Sequence, residues 1–308
     1  MIQGVWFDAT MNRRTFLKLA GSGLPLLIAG PCPAVARTLT TLGHTKDPGC
    51  RTKGCSIVPA MPDPAIPDTA IKDRLIKSRL FNHWFSDDIV LSPTQLKVLR
   101  SSLARLKRLQ RLVGFGNFYL LGFDEARTYA KSYARVGAFT TAELGFLEKI
   151  FYYPADAYGF MGEKPIIRMT GKINRSKVTK VRGTGNYLYK GQPAATYQQI
   201  KTQVGKDVVL TSGIRGVMKQ FLLFLNKADS HQGNLSLASR SLAPPGYSFH
   251  GAGDFDVGER GFGVDNFTEK FTRTRVYSRL TDLGFIKFRY TQGNHLGVRF
   301  EPWHVEVG

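Results

Sequence analysis

Several residue types and patterns are scarce in this chain, and each scarcity excludes a class of protein. There are three cysteines in 308 residues, and the tail around Cys50 and Cys55 offers no second pair of ligands, which argues against zinc at this pair. No stretch approaches the ~18 consecutive apolar residues of a membrane span. We find no internal repeat. Hydrophobic residues at 43% and aromatics at 12% indicate a globular protein rather than a disordered one.

Acidic residues are also scarce, and this scarcity leaves a strongly basic chain. The 23 Asp and Glu residues face 43 Lys and Arg residues, which gives a net charge of +20. Nucleic acid, anionic cell-wall polymers and acidic lipids all attract such a field. The charge is spread along the chain and is densest in "KVLRSSLARLKRLQR", residues 97–111. Charge alone therefore does not select the partner.

The N-terminal segment narrows the choice. Residues 11–37 carry paired arginines, a short apolar run broken by Gly and Pro, and the small-residue cleavage pattern Ala34-Val35-Ala36. This pattern predicts a twin-arginine signal peptide over residues 1–36, with Met11 as the true start. We expect a periplasmic or extracellular protein without a stable membrane anchor. Export also disfavours a nucleic-acid partner.

The cysteines agree with export. Cys32 falls inside the predicted signal, whereas Cys50 and Cys55 remain in "CRTKGC". A close, even pair in an exported chain favours a small local disulfide, and two unpaired thiols are the alternative.

The rest of the chain divides by pattern. Residues 37–68 are rich in Pro, Gly and Thr and predict a linker. Residues 69–165 predict a helical module, in which Ser92 and Pro93 open one helix and Thr141 and Glu143 open another. Residues 166–308 mix short strands with helices. The predicted strands are PIIRMTGKI, SKVTKVRG, DVVLTSGI and GVRFEPWHVEV, and the predicted helices are AATYQQIKTQV, VMKQFLLFLNKA and TRVYSRLTDLGF. This order indicates an α+β fold with a small antiparallel sheet and flanking helices.

One segment has no hydrophobic period and invites a chemical explanation. "PPGYSFHGAGDFDVG", residues 244–258, holds His250, Asp254 and Asp256 among four glycines. As a straight strand, residues 250 to 256 would span ~20 Å. Ligands of one zinc, at ~2 Å bond length, must lie within a few ångströms of each other. The chain must therefore fold back, which Gly251 and Gly253 permit.

The C-terminus supplies further ligand types in "EPWHVE". Glu301 and His304 are three residues apart and would face opposite sides of a regular strand. Pro302 favours a strand end or bulge that turns both toward one pocket. Two histidines and one carboxylate leave a fourth position for water, as in a catalytic zinc site. A further carboxylate can accept the proton of that water.

These motifs together resemble the VanY-type D-alanyl-D-alanine carboxypeptidases, zinc peptidases that trim the stem peptides of bacterial peptidoglycan. The family pattern S-x-H-x-x-G-x-A-x-D is matched by Ser248, His250 and Gly253, and its late E-x-x-H by Glu301 and His304. The upstream S-G-x-R with a Gln five residues later is matched at Ser212, Gly213, Arg215 and Gln220. The resemblance covers roughly residues 185–308.

The chain departs from that pattern at one place. The family aspartate follows its histidine by seven residues, where this chain has Val257, and Phe255 replaces the usual Ala. Shortening the loop by one residue leaves Asp256 as the ligand. Asp254 is the rival, and we prefer Asp256.

The resemblance implies a role for each matched residue. The zinc ligands are His250, Asp256 and His304. Glu301 is the general base that activates the zinc-bound water and later protonates the leaving amine, and Arg215 stabilises the charge that develops at the scissile carbonyl. Gln220 and Ser248, with Arg215, contact the substrate.

The resulting prediction is an exported zinc D,D-carboxypeptidase that acts on the terminal D-Ala-D-Ala bond of peptidoglycan stem peptides. An L,D-carboxypeptidase or endopeptidase on the same substrate, or a non-catalytic cell-wall-binding protein, are the alternatives. The oligomeric state and the role of the helical module stay open.

Overall fold

The computed structural model describes residues 68–284 and 286–307, which belong to one compact unit spanning residues 66–308. The predicted signal peptide, the predicted linker up to residue 67 and the Cys50–Cys55 pair lie outside the described residues. The predicted division between a helical module and a peptidase domain at residue 165 remains a prediction.

The first half of the described chain is helical, as the sequence patterns predict. Its helices are α1 (Asp68–Arg79), α2 (Pro93–Val113), the single turn α3 (Phe115–Phe118), α4 (Phe123–Ser132) and α5 (Thr141–Tyr152). The predicted start of α2 is confirmed, because the Ser92 side chain accepts from Gln95 N while the Gln95 side chain accepts from Ser92 N. The same capping box opens α5, but with Thr140 rather than Thr141 as its N-cap.

A buried ion pair joins two of these helices. Arg105 on α2 donates from Nε to Glu143 Oε2 at 2.8 Å and from Nη2 to Glu143 Oε1 at 3.1 Å. Because Glu143 is also the capping residue of α5, this pair fixes the start of α5 against the middle of α2. Helix α2 packs in addition on a helix of the second half, α7 (Val217–Ser230).

The second half combines helices with two small antiparallel sheets. Strands β1 (Val178–Lys180) and β2 (Tyr187–Tyr189) form one sheet. The other sheet has the order β3-β4-β5, with β3 at Val208–Ser212, β4 at Phe255–Glu259 and β5 at His304–Val305. The remaining helices are α6 (Gln192–Val204), α8 (Leu235–Ser239) and α9 (Arg275–Asp282). The predicted α+β class is confirmed.

The core of the second half lies on the three-stranded sheet. Helices α6 and α9 cover this sheet, and their apolar side chains meet those of the strands. The fully buried members are Ile200, Val208, Phe255, Val257, Phe271, Leu280 and Val305. The sheet is therefore fixed by side-chain packing as well as by its ladder of hydrogen bonds, and it can hold polar groups in place at its end.

Two predicted strands differ from the structure. "PIIRMTGKI" is an irregular segment, because Gly171 N bonds to Arg168 O in a turn and Ile167 is 70% exposed. The predicted closing strand is reduced to His304–Val305, since the residues before it turn at Pro302 and Trp303. Within residues 68–284 and 286–307, no helix combines the length and the apolar content needed to cross a bilayer.

The close approach of β2 to the end of β3 makes Gly213 a sharp test of this packing. A Cβ added at Gly213 would lie 2.1 Å from Tyr187 O, whereas one added at Gly145 on α5 meets nothing within 4 Å. We expect Gly213→Ala to destabilise the protein by about 1–3 kcal/mol or more, because backbone must move. Gly145→Ala should stabilise slightly, by up to about 1 kcal/mol. Urea unfolding midpoints measure both, and equal midpoints would contradict the packing described.

Candidate metal centre

Strand pairing brings two of the predicted ligands side by side. Strand β4 is the middle strand, and Asp256 lies opposite His304 on β5 and opposite Ser212 on β3. Directly paired residues of an antiparallel ladder have Cβ atoms about 4.5–5.5 Å apart. Asp256 and His304, which are 48 positions apart in sequence, are therefore neighbours in the sheet. Both side chains are buried.

A compact turn delivers the third predicted ligand. The 3-10 turn Phe249–Gly251 contains His250, and the backbone N–H groups of the next three residues all bond to Phe249 O. Gly253 has a φ of 145°, a backbone conformation that favours glycine. The predicted fold-back is confirmed. The last part of the segment 244–258 is a regular strand, since Asp256 lies on β4.

The three ligand atoms converge to the spacing that one metal ion requires. His250 Nε2 lies 3.3 Å from Asp256 Oδ1, and His304 Nδ1 lies 3.2 Å from the same oxygen. All three atoms are within 4.8 Å of one another. Ligands of a tetrahedral zinc at bond lengths of about 2.1 Å lie about 3.4 Å apart. This geometry therefore fits a zinc ion.

The hydrogen-bonding state of these atoms points the same way. His250 Nε2 and Asp256 Oδ1 are buried and have no hydrogen-bond partner among the described residues. Buried polar atoms are nearly always satisfied, so two such atoms facing each other need a common partner. A cation between them supplies it.

Both imidazoles are oriented by hydrogen bonds on their far side. His250 Nδ1 donates to Gly213 O at 2.8 Å, which turns Nε2 toward Asp256. Burial, the Arg215 guanidinium and the neighbouring His304 lower the pKa of His250 to about 4, so this imidazole is neutral near pH 7. A neutral imidazole with a free lone pair is the state that binds a metal.

His304 is held by the rival aspartate of the sequence motif. Its Nε2 donates to Asp254 Oδ2 at 2.9 Å, and Nδ1 thus faces Asp256. Burial alone lowers the pKa of His304, but the Asp254 hydrogen bond and the nearby Asp256 carboxylate raise it to about 9. In the metal-free protein His304 is therefore protonated near pH 7, and a metal must displace the Nδ1 proton.

Asp254 lies behind the cluster rather than in it. It is fully buried, and it also accepts from Arg289 Nε at 2.5 Å and from Val307 N at 2.9 Å. Despite its burial, these donors and His304 hold the pKa of Asp254 well below its usual range. The grouping of His250, Asp256 and His304 accords with our preference for Asp256 as the ligand. Asp254 is instead placed to orient His304.

Glu301 reaches the same cavity beside His304. Its Oε2 lies 3.9 Å from His304 Nδ1, and its Oε1 lies 3.6 Å from Arg299 Nε. Burial raises the pKa of Glu301 above that of an ordinary carboxyl, although Arg299 and His304 oppose this. The turn at Pro302 and Trp303 allows Glu301 and His304 to point into one space, as predicted.

The upstream motif is partly placed in the cavity. Arg215 donates from Nε to Ser212 Oγ at 2.8 Å and from Nη2 to Asp256 Oδ2, so its charge faces the cluster. Gln220 is buried outside the cavity lining, where it donates to Arg215 O at 2.7 Å and accepts from Gly246 N at 2.8 Å. Gln220 thus ties the backbone at Arg215 to the loop before His250. Its predicted contact with substrate remains a prediction.

These groups line a cavity of about 450 Å³ that contains Ser248, Arg215, Glu301 and the three clustered residues. Sequence reasoning missed several other members of its wall. They are Phe81, Asn82, Lys227, Phe267, Tyr290 and Arg299. Arg299 lies two residues before Glu301, and this proximity was the one signal available for it. Phe81 and Asn82 lie far from every recognised motif.

Comparison with known protein families finds one match. Residues 192–307 match the family model of VanY, D-alanyl-D-alanine carboxypeptidase. These residues, called the VanY segment below, are similar to that family. The VanY segment contains every predicted site residue, and the resemblance drawn from the sequence motifs is confirmed. No curated protein matches the chain.

Two solved structures are also similar to the chain. One is a mutant of the vancomycin-resistance D,D-pentapeptidase VanY from a VanB-type cassette, in complex with Zn(II), and the other is VanYB in complex with D-alanine-D-alanine. Each is 19% identical to this chain, with a TM-score of 0.38. The similar region covers 48% of this chain, 85% of the first structure and 84% of the second.

The affinity for zinc tests whether Asp254 orients His304. We expect Asp254→Asn to weaken zinc binding by about 10- to 100-fold, because His304 loses the carboxylate that orients it. Asp256→Asn should remove a ligand and abolish tight binding. Chelator competition measures the affinity, and Asp265→Asn, at an exposed ion pair with Lys270, is the matched control. Unchanged affinity in folded Asp254→Asn protein would contradict this placement.

Proposed function

We propose that this protein is a zinc-dependent D,D-carboxypeptidase that hydrolyses the terminal D-Ala-D-Ala bond of peptidoglycan stem peptides. The observation that carries the proposal is the convergence of His250 Nε2, Asp256 Oδ1 and His304 Nδ1 in a cavity that also holds a buried carboxylate. The VanY match of the surrounding segment supports the reaction class.

The three clustered side chains would hold the zinc and leave one side of it facing the cavity. Bound zinc supplies a Lewis acid that polarises a carbonyl and lowers the pKa of a coordinated water. The protein fixes the ligands in advance: Gly213 O orients His250, Asp254 orients His304, and Arg215 faces Asp256. Preorganised ligands do not have to be rearranged when the metal binds.

Glu301 is the proposed general base. It is the cavity carboxylate that is not among the three clustered ligands, and it lies 3.9 Å from His304 Nδ1. Its raised pKa makes it a better proton acceptor than an ordinary carboxylate and a competent donor afterwards. In the proposed reaction Glu301 accepts a proton from the attacking water. It then returns this proton to the amine of the departing D-alanine.

Arg215 and Ser248 are the proposed substrate contacts at the reacting bond. Both line the cavity, and Arg215 is held in place by Ser212 and Asp256. A fixed guanidinium beside the scissile carbonyl stabilises the negative charge that develops on its oxygen. Because Arg215 is already oriented, little reorganisation is needed during the reaction.

The cellular setting follows from the sequence rather than from the described residues. We propose that residues 1–36 direct export by the twin-arginine route, which places enzyme and peptidoglycan in one compartment. The net charge of +20 is suited to an anionic cell envelope.

Release of D-alanine tests the proposal. The zinc-loaded protein, given a stem pentapeptide with a D-Ala-D-Ala end, should release free D-alanine. We expect Glu301→Gln to lower kcat by about 10²- to 10⁴-fold, because it removes the proton acceptor, and to retain zinc. Glu163→Gln, at an exposed carboxylate outside the cavity lining, is the matched control and should keep full activity.

Tetrapeptide and crosslinked dimer substrates separate the related reactions. Cleavage of the tetrapeptide alone would indicate an L,D-carboxypeptidase, and cleavage of the dimer alone an endopeptidase. A folded, zinc-loaded protein that cleaves none of the three substrates would overturn the enzymatic proposal and leave the cell-wall-binding alternative.

A further inference from the structure

Two cations of the cavity lie outside the cluster of His250, Asp256 and His304. Lys227 projects from α7, and Arg299 belongs to the segment that leads into Glu301. Both line the same cavity as the metal cluster. The third cation there, Arg215, is already paired with Asp256. The cavity therefore has two positive charges beyond those that the metal cluster engages.

The partners of these two side chains leave hydrogen-bonding capacity unused. Lys227 Nζ donates to Asn82 Oδ1 at 3.1 Å, and within residues 68–284 and 286–307 no carboxylate forms an ion pair with it. Arg299 Nε is buried without a hydrogen-bond partner in the same part of the chain. Its nearest carboxylate oxygen, Glu301 Oε1, is 3.6 Å away, beyond hydrogen-bonding distance.

Two aromatic rings hold the Arg299 guanidinium in the wall of the cavity that Lys227 also lines. The Arg299 guanidinium stacks over the rings of Phe81 and Trp303, at 4.9 Å from each centroid. Burial lowers the pKa of Lys227, and the positive charge of Arg299 lowers it further, so the two groups repel each other. Like charges held together in a partly buried place are stabilised when an anion lies between them.

We propose that Lys227 and Arg299, with Asn82 at its rim, form a binding site for a carboxylate of the peptide substrate. This inference rests on the proposed function and adds the group by which the substrate is recognised. The guanidinium offers parallel N–H donors that match a carboxylate, and the ammonium adds a point charge. Phe81 and Asn82 lie outside the VanY-matched segment, so the N-terminal helical region contributes part of this site.

Peptides that differ in one carboxylate test the proposal. The probes are a stem pentapeptide with all carboxylates free, its C-terminal amide, and its analogue in which the internal D-glutamate α-carboxylate is an amide. Binding is measured by calorimetry on zinc-loaded protein that carries Glu301→Gln, which stops turnover and is common to the parent and to every variant. Arg299→Met and Lys227→Met are compared with Lys131→Met, which removes an exposed charge outside the cavity lining.

We expect each cavity variant to raise the Kd for the fully charged pentapeptide by about 10-fold or more, since a charge-assisted hydrogen bond is lost. For one of the two amidated peptides the variants should have no further effect, and that peptide identifies the carboxylate bound. Lys131→Met should bind all three peptides as the parent does.

The results that would overturn the carboxylate site differ from those that would overturn the proposed enzymatic activity. Equal affinities in parent and variants, or the same loss for all three peptides, would overturn the carboxylate site while D-alanine release by the wild-type protein still stands. Absence of D-alanine release with normal, variant-sensitive binding would overturn the enzymatic proposal and retain the site.

Discussion

The structure depends on the pairing of β4 between two neighbours that come from distant parts of the chain. This register places Asp256 opposite His304 on one side and opposite Ser212 on the other. A shift by one residue would turn Asp256 to the other face of the sheet and separate it from both. Apolar residues of the same strand, Phe255 and Val257, are fully buried and resist such a shift. Packing of the sheet and assembly of the cluster are therefore one constraint.

A second layer of contacts orients the side chains of the cluster. Gly213 O and Asp254 bind the outer nitrogen of each histidine, and the inner nitrogens both face Asp256 Oδ1. Arg289 holds Asp254 and also lies over the Phe249 ring, 3.6 Å from its centroid. The loop that carries His250 and the strand that carries His304 are thereby linked through one ion pair. Lys227 and Arg299, the proposed carboxylate site, line the same cavity.

The fold class could be predicted from sequence, and so could the grouping of His250, Asp256 and His304, because both are recorded in local patterns. The spacing of His250, Asp256 and the E-x-x-H pair required a fold-back that glycines permit, and it occurs. Local patterns could not show that Asp254 orients His304, because these residues are 50 positions apart and meet only through the sheet. They also could not show Phe81 and Asn82 in the cavity wall. The strand predicted at "PIIRMTGKI" was wrong, because apolar character without a pairing partner does not make a strand.

The most direct test of the central claim is to locate the metal itself. Crystals of the protein grown with zinc, with diffraction recorded on both sides of the zinc absorption edge, give an anomalous map of the ion. We predict a single strong peak in the cavity, about 2.1 Å from His250 Nε2, Asp256 Oδ1 and His304 Nδ1. A cavity without a peak, or a peak bound by Asp254 in place of Asp256, would contradict the account.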